Sequence, residues 1–140
     1  MERPQPGAET ATTAIDRTCA EKVEIFNKSE LAVLLGMECI EAGGHRARVV
    51  MEPEGKRGPY TVAHGGAIFS LADQAFGIAA NLVEKQVALS VHIEYLAPST
   101  GRLEAVAEKV GDSRFTSLYR VVVYEGTRTI AIFDGVAVRV

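Results

Sequence analysis

From Gly65 to Val83 the chain reads GGAIFSLADQAFGIAANLV, and Asp73 is the sole formal charge between His64 and Glu84. The stretch predicts a helix from about Gly65 to Glu84 that is apolar on nearly every side. Such a helix must be buried all round. A single antiparallel sheet covers only one side of it, so the far side calls for a partner chain. The run carries Ser70, Asp73, Gln74 and Asn81, too polar and too short for a membrane span of ~20 apolar residues.

The remaining elements fit around that helix. Val23, Phe26, Leu31, Leu34 and Leu35 fall at helical spacing, which predicts one helix over 19–35 ended by Gly36. Two strand-like runs, Met37 to Glu41 and His45 to Met51, flank the hairpin signal Gly43-Gly44. Gln86 to Leu96 alternates without interruption, with Val87, Leu89, Val91, Ile93 and Tyr95 on one side. Three more β-rich runs follow, Arg102 to Val110, Arg114 to Tyr124 and Arg128 to Val140. The order predicts an α+β fold: helix, hairpin, long helix, then a meander of long strands.

Composition excludes several classes of function. The 140 residues, 47% hydrophobic and 24% charged, suit one globular domain, long enough to fold without disulfides or a structural metal. A formal net charge of −3 argues against nucleic acid or an anionic membrane as partner. Cys19 and Cys39, in no CxxC pair, read as reduced thiols of a cytoplasmic protein with no metal site. The opening MERPQPGAETATTAIDR has no apolar signal core. Residues 1–18 read as a flexible tail, leaving 19–140 as the domain.

Asp73 needs an explanation. Aspartate is almost never fully buried unpaired, and Ser70, Phe76, Phe69 and Gly77, its helical neighbours, offer no cation. A hydrogen bond to a loop or a salt bridge to a distant strand would account for it. So would a general base in an apolar cleft, where burial raises the carboxyl pKa toward neutrality. His64-Gly65-Gly66 supplies the complementary half. Two glycines at a helix start leave open N–H groups where negative charge is favoured, which suits the oxyanion of an attacked carbonyl. His64 either caps the helix or contacts substrate. Gly65 and Asp73 stand eight residues apart, roughly 12 Å along one axis, too far to serve one carbonyl. Two antiparallel copies across a two-fold axis bring Gly65 of one chain to Asp73 of the other.

HGGAIFSLADQAFGIAAN followed by VHIEYLAP resembles the hotdog-fold acyl-CoA thioesterases, in particular the PaaI-like, phenylacetate-degradation branch, over about 19–140. The resemblance implies a long helix wrapped by a curved antiparallel sheet, and a homodimer that often pairs again into a homotetramer. It implies a hydrolase that cleaves acyl-CoA to free acid and CoA, without cofactor, because CoA belongs to the substrate. Asp73 would activate the attacking water, or form an anhydride. Gly65 would supply the oxyanion-hole amide, and His64 matches the motif histidine. Gly66 and Ser90 are candidate substrate contacts, and Arg114 and Lys109 are candidate partners for the CoA phosphates. Gly58 stands where many relatives have Asn, and Ala88 where some have Ser or Thr. A non-catalytic acyl-CoA-binding module and a hotdog dehydratase or hydratase are the alternatives.

Overall fold

The computed structural model describes residues 14–140. Of the segment 1–18 assigned to a tail, residues 1–13 lie outside the described residues. Within the remainder, Ile15 bridges Ala42, and the Asp16 N–H donates to the Ala42 carbonyl at 2.8 Å.

A 3-10 turn, Arg17–Cys19, leads into α1 (Ala20–Asn27) and α2 (Glu30–Leu35). The single helix predicted over 19–35 is therefore two. The Lys28 N–H closes α1 by bonding back to Glu24. Ser29 then turns extended (φ −63°, ψ 151°) as the N-cap of α2, and its hydroxyl donates to the Phe26 carbonyl at 2.7 Å. That local bond competes with continuation of the helix. Gly36 ends α2 in the left-handed region, φ 66°, the usual glycine terminator.

The hairpin β1 (Glu38–Gly43) and β2 (Arg46–Met51) turns at Gly44, φ 60°. The long helix, α3, spans Gly65–Asn81 and is followed by β3 (Gln86–Tyr95), β4 (Leu103–Asp112), β5 (Thr116–Glu125) and β6 (Arg128–Arg139). All strands join one antiparallel sheet in the order β1-β2-β4-β5-β6-β3. Leu71, Ala72, Ala75, Ile78 and Ala79 of α3 are fully buried, as are Ala47, Val49, Ala105, Ala107, Val121, Val123 and Phe133 of the sheet. Their i, i+2 spacing on each strand places them on the face that meets α3. α3 stops three residues before the predicted Glu84. Asn81 explains this: its Nδ2 donates to the Gly77 carbonyl and its Oδ1 accepts the Gln86 N–H at 2.9 Å. Lys22 of α1 then donates to the terminal carbonyls of Asn81 and Leu82 at 3.0 and 3.2 Å, a cation at a helix C-terminus.

β3 does not alternate without interruption. Ala88 pairs with Ala137 and Ser90 with Val136, so Leu89 is the extra residue of a bulge. The bulge inverts the faces. Gln86 and Ala88 lie on the α3 side, and beyond the bulge Val91, Ile93 and Tyr95 take that side, opposite Gly135, Phe133 and Ala131. Val91 thus comes to share a face with Ala88, not with Val87.

The close packing of α3 on β6 rests on a glycine. A Cβ at Gly135 would come within 2.8 Å of the Phe76 ring. That ring is hemmed in by Tyr119 and Phe133, with centroids at 5.8 and 5.6 Å. Gly135→Ala is therefore expected to cost about 1–3 kcal/mol. Urea unfolding would read this as a lowered midpoint at unchanged slope; an unchanged midpoint would mean that Phe76 has room to move.

Both cysteines are free and buried. The Cys39 Sγ donates to the Glu41 carbonyl at 3.3 Å, and burial pushes its thiol pKa up to about 12. Because the thiolate is the reactive form, Cys39 should resist iodoacetamide at pH 8 in the folded protein and react once denaturant is added. Mass-spectrometric labelling of native Cys39 would contradict this burial. Among the described residues no helix is long and apolar enough to cross a membrane.

Candidate active site

α3 is covered only in part. The sheet takes one face. α1 takes part of the back, where the Phe26 ring would lie 3.6 Å from a Cβ at Gly77 and the Phe26 carbonyl accepts from Gln74 Nε2 at 3.1 Å. A stripe through Gly66, Ser70 and Asp73 stays open or half-open. All-round burial, expected from the sequence, is thus incomplete in a single chain.

Asp73 stands on that stripe. It makes no hydrogen bond or ion pair among the described residues, so neither a loop contact nor a salt bridge accounts for it. Its carboxyl pKa is raised above the ordinary aspartate value by partial desolvation against apolar neighbours. With no donor or cation opposing that effect, the charged form is the disfavoured one.

The first turn of α3 is built so that one amide is left over. His64 is the N-cap (φ −65°, ψ 137°), and its Nδ1 accepts the Gly66 N–H at 2.9 Å. That bond assigns the ring proton of neutral His64 to Nε2. The N–H groups of Ala67 and Ile68 both reach the His64 carbonyl, at 2.9 and 3.1 Å. The Gly65 N–H has no acceptor among the described residues. A helix start leaves such donors unsatisfied, and here capping leaves Gly65 rather than Gly66. Of the two roles open to His64, capping is the one seen. The turn is held from both sides. The Lys56 carbonyl accepts the His64 N–H at 2.7 Å, and the Ser99 carbonyl accepts the Ala63 N–H at 2.8 Å. The Tyr95 hydroxyl donates to the Gly65 carbonyl at 3.1 Å.

Two concavities flank this turn. One of about 380 Å³ opens between α2 and α3, lined by Leu31, Leu35, Lys56, His64, Gly66 and Ser70 among others. The other, about 350 Å³, lies toward β3 and includes Gly65, Ile68, Tyr95, Leu96 and Pro98. Sequence reasoning missed Tyr95, Lys56 and the leucines of α2 as neighbours of the site. The IEYLAP strand was the one available signal, for Tyr95.

The other candidates lie elsewhere in the chain. Ser90 sits just past the bulge on the sheet face away from α3, opposite Val136. Lys109 pairs with Asp112 at 2.6 Å, and Asp112 also accepts from Arg139 and Ser117. Those donors, Lys109 foremost, hold its carboxyl far below the ordinary range. The Arg114 guanidinium lies 5.1 Å from the Phe115 ring centre. The turn carrying Arg114 adjoins the C-terminal end of α3, because Arg139 bonds Phe115 and Val140 bonds Lys85. Within one chain, Arg114 and Lys109 are therefore about a helix length, ~25 Å, from Gly65. Asp73 is likewise separated from Gly65 by eight positions of one helix.

β3 forms one edge of the sheet. It is ten residues long, and Val87, Leu89 and Tyr95 on it are 47, 63 and 51% exposed. A long apolar edge of this kind is a template for pairing with another chain.

The family model of the thioesterase superfamily matches residues 60–130, which hold His64, Gly65 and Asp73. A protein of Deinococcus radiodurans, provisionally named an esterase, is 37% identical over 115 residues, covering 77% of each chain. Among solved structures, a variant of the phenylacetic acid degradation protein PaaI of Thermus thermophilus superposes with a TM-score of 0.77 at 33% identity, over 80% of this chain and 100% of that one. The PaaI protein of Escherichia coli superposes with a TM-score of 0.81 at 26% identity, over 88% of this chain and 93% of that one.

Proposed function

The chain belongs to the thioesterase superfamily and is a thioester hydrolase of the hotdog fold, and from that premise we propose that it hydrolyses acyl-CoA at sites shared between two copies of itself. The observation that carries the proposal is the pair of unsatisfied groups on α3. The Gly65 N–H has no acceptor and the Asp73 carboxylate no partner among the described residues. Each supplies what the other lacks, yet one helix holds them apart.

Pairing of two chains along β3, with their α3 helices antiparallel across a two-fold axis, brings each Gly65 to the other chain's Asp73 and closes the open stripe. The same operation carries the Arg114 turn of one chain toward the α3 start of the other, which supports Arg114 as a contact for CoA phosphate. Lys109 serves less well, being already paired with Asp112. Gly66 borders the shared site, whereas Ser90, on the sheet face away from α3, does not serve as a substrate contact in this arrangement. Two such dimers pair again into a tetramer, and the protein works in the cytoplasm.

In the reaction, the Asp73 carboxylate takes a proton from a water molecule whose oxygen attacks the thioester carbon. The carbonyl oxygen becomes an oxyanion and accepts the Gly65 N–H of the other chain. The tetrahedral intermediate then expels CoA as a thiolate, which takes the proton back from Asp73. The free acid and CoA leave, and the carboxylate is restored. No redox partner is needed.

A panel of acyl-CoAs offered to the purified protein, with a thiol-detecting dye, tests this directly. Steady thiol release supports the proposal. Hydration of an enoyl-CoA without thiol release would replace it with a hydratase. Tight binding with neither reaction would replace it with an acyl-CoA-binding module.

A further inference from the structure

The start of α3 hangs on the segment that joins β3 to β4. The Ser99 carbonyl accepts the Ala63 N–H at 2.8 Å, two positions before Gly65, and the Tyr95 hydroxyl donates to the Gly65 carbonyl at 3.1 Å. Near β3 this segment is fixed by the N–H groups of Leu96 and Ala97, which both reach the Ile130 carbonyl, at 2.8 and 3.2 Å. Those bonds end two residues short of Ser99. From Pro98 onward the hold passes to Glu125 and Arg128, at the turn between β5 and β6. The Glu125 Oε1 accepts from the Ser99 hydroxyl at 2.7 Å, the Thr100 N–H at 3.2 Å and Arg128 Nη2 at 3.3 Å. The Gly101 N–H reaches the same carboxylate. Arg128 Nη2 also donates to the Pro98 carbonyl at 2.8 Å. The Ser99 hydroxyl, foremost among the donors, holds the Glu125 carboxyl below the ordinary glutamate range. Glu125 is thus charged at neutral pH, and its hydrogen bonds are of the strong, charge-assisted kind.

We propose that Glu125 is a positioning residue for the oxyanion-hole amide: through Ser99 and Ala63 it holds the Gly65 N–H where the attacked carbonyl develops its charge. The inference rests on the acyl-CoA hydrolase reading above. An oxyanion donor works only when it is set beforehand at hydrogen-bond distance from the oxyanion. A misplacement of about 1 Å can cost about 10²-fold in rate even when its cause is remote. The Gly65 amide is open to such error, because it has no acceptor among the described residues to hold it. Its place is set by the bonds of its neighbours. One of these, from the His64 N–H to the Lys56 carbonyl, runs to the loop that itself leads into α3. The Ser99 bond, by contrast, ties the turn to the sheet by way of Glu125. All these contacts lie within one chain, so they are in place before a second copy supplies Asp73.

The test compares kcat, KM and residue-resolved amide exchange by NMR in the full-length protein and in Glu125→Ala, Glu125→Gln and Ser99→Ala. Glu125→Ala should lower kcat by about 10–100-fold with KM near that of wild type, the pattern of a contact made only in the transition state. The Ala63 N–H should exchange severalfold faster, while those of Leu96 and Ala97, bonded to Ile130, should keep their wild-type rates. Glu125→Gln keeps an oxygen for Ser99 and Thr100 and should restore most of kcat. Ser99→Ala keeps the carbonyl and loses only the hydroxyl, so its kcat and its Ala63 exchange should fall between those of wild type and Glu125→Ala. If Glu125→Ala does not fold, Ser99→Ala with wild-type kcat and exchange overturns the assignment. A folded Glu125→Ala with wild-type kcat, or one that loses kcat while Ala63 exchanges as in wild type, also overturns it and leaves the hydrolase reading standing. Wild type that releases no thiol from any acyl-CoA overturns both.

Discussion

Asp73→Asn is expected to lower kcat on acyl-CoA by about 10²–10⁴-fold, the usual weight of a positioned general base, while leaving the protein at least as stable as wild type. The loss follows from the chemistry: an amide cannot take the proton of the attacking water. The gain follows from the setting. The Asp73 carboxyl is raised by desolvation alone and has no partner among the described residues. A carboxyl whose folded pKa lies above its unfolded value favours the folded state at low pH. That contribution is lost as pH rises through the folded pKa. At neutral pH the ionised Asp73 is thus a burden on the fold that asparagine removes. The melting temperature of Asp73→Asn should equal or exceed that of wild type at pH 7, and the gap should close below the ordinary aspartate value of 3.8. The pH profile of kcat/KM should rise through an acid limb above that value. A variant that keeps its activity, or that unfolds several degrees early, would make Asp73 structural.

Arg48→Met is expected to cost about 3–5 kcal/mol of stability, a fall in melting temperature on the order of 10–20 °C. Arg48 lies on the sheet face away from α3, between Ala47 and Val49, and its side chain is 1% exposed. Its Nη1 meets Glu104 at 2.8 Å and its Nε meets Glu41 at 3.0 Å. The cluster ties β1, β2 and β4 together. Methionine matches the arginine stem but removes the one cation that both carboxylates share. Breaking a buried pair costs far more than replacing the whole group. Converting Arg48 to Met together with Glu41 and Glu104 to Leu should therefore recover most of the loss. A single Arg48→Met variant within about 1 kcal/mol of wild type would show that water reaches the cluster.

Much of this molecule can be read from its sequence, and the failures have physical causes. The start of α3 at Gly65 is legible because His64-Gly65-Gly66 marks it, and Gly36 and Gly44 mark the ends of α2 and β1 for the same conformational reason. The division of the first helix is not, because Phe26, Leu31 and Leu34 keep helical spacing across Ser29, whose capping role depends on a bond to Phe26. The bulge at Leu89 is hidden because Val87, Leu89 and Val91 alternate perfectly on paper. Only pairing with β6 shows that one residue is surplus. At the site, Gly65 and Asp73 are legible from residue type and spacing. Tyr95, Lys56 and the leucines of α2 are not, since they reach α3 through tertiary contacts. Tyr95, for one, meets Gly65 across 30 positions of chain, a separation that no local pattern records.

At the proposed shared site each centre takes its amide from one chain and its acid from another, and mixing two inactive variants measures this. Gly65→Pro removes the amide hydrogen at the first helical position, where proline is tolerated. Asp73→Asn removes the base. Each variant alone should be inactive. Unfolded together at equal amounts and refolded, they should recover about a quarter of wild-type activity, because half the dimers are mixed and each mixed dimer keeps one of two sites intact. Refolded mixtures as inactive as the separate variants would contradict the shared site.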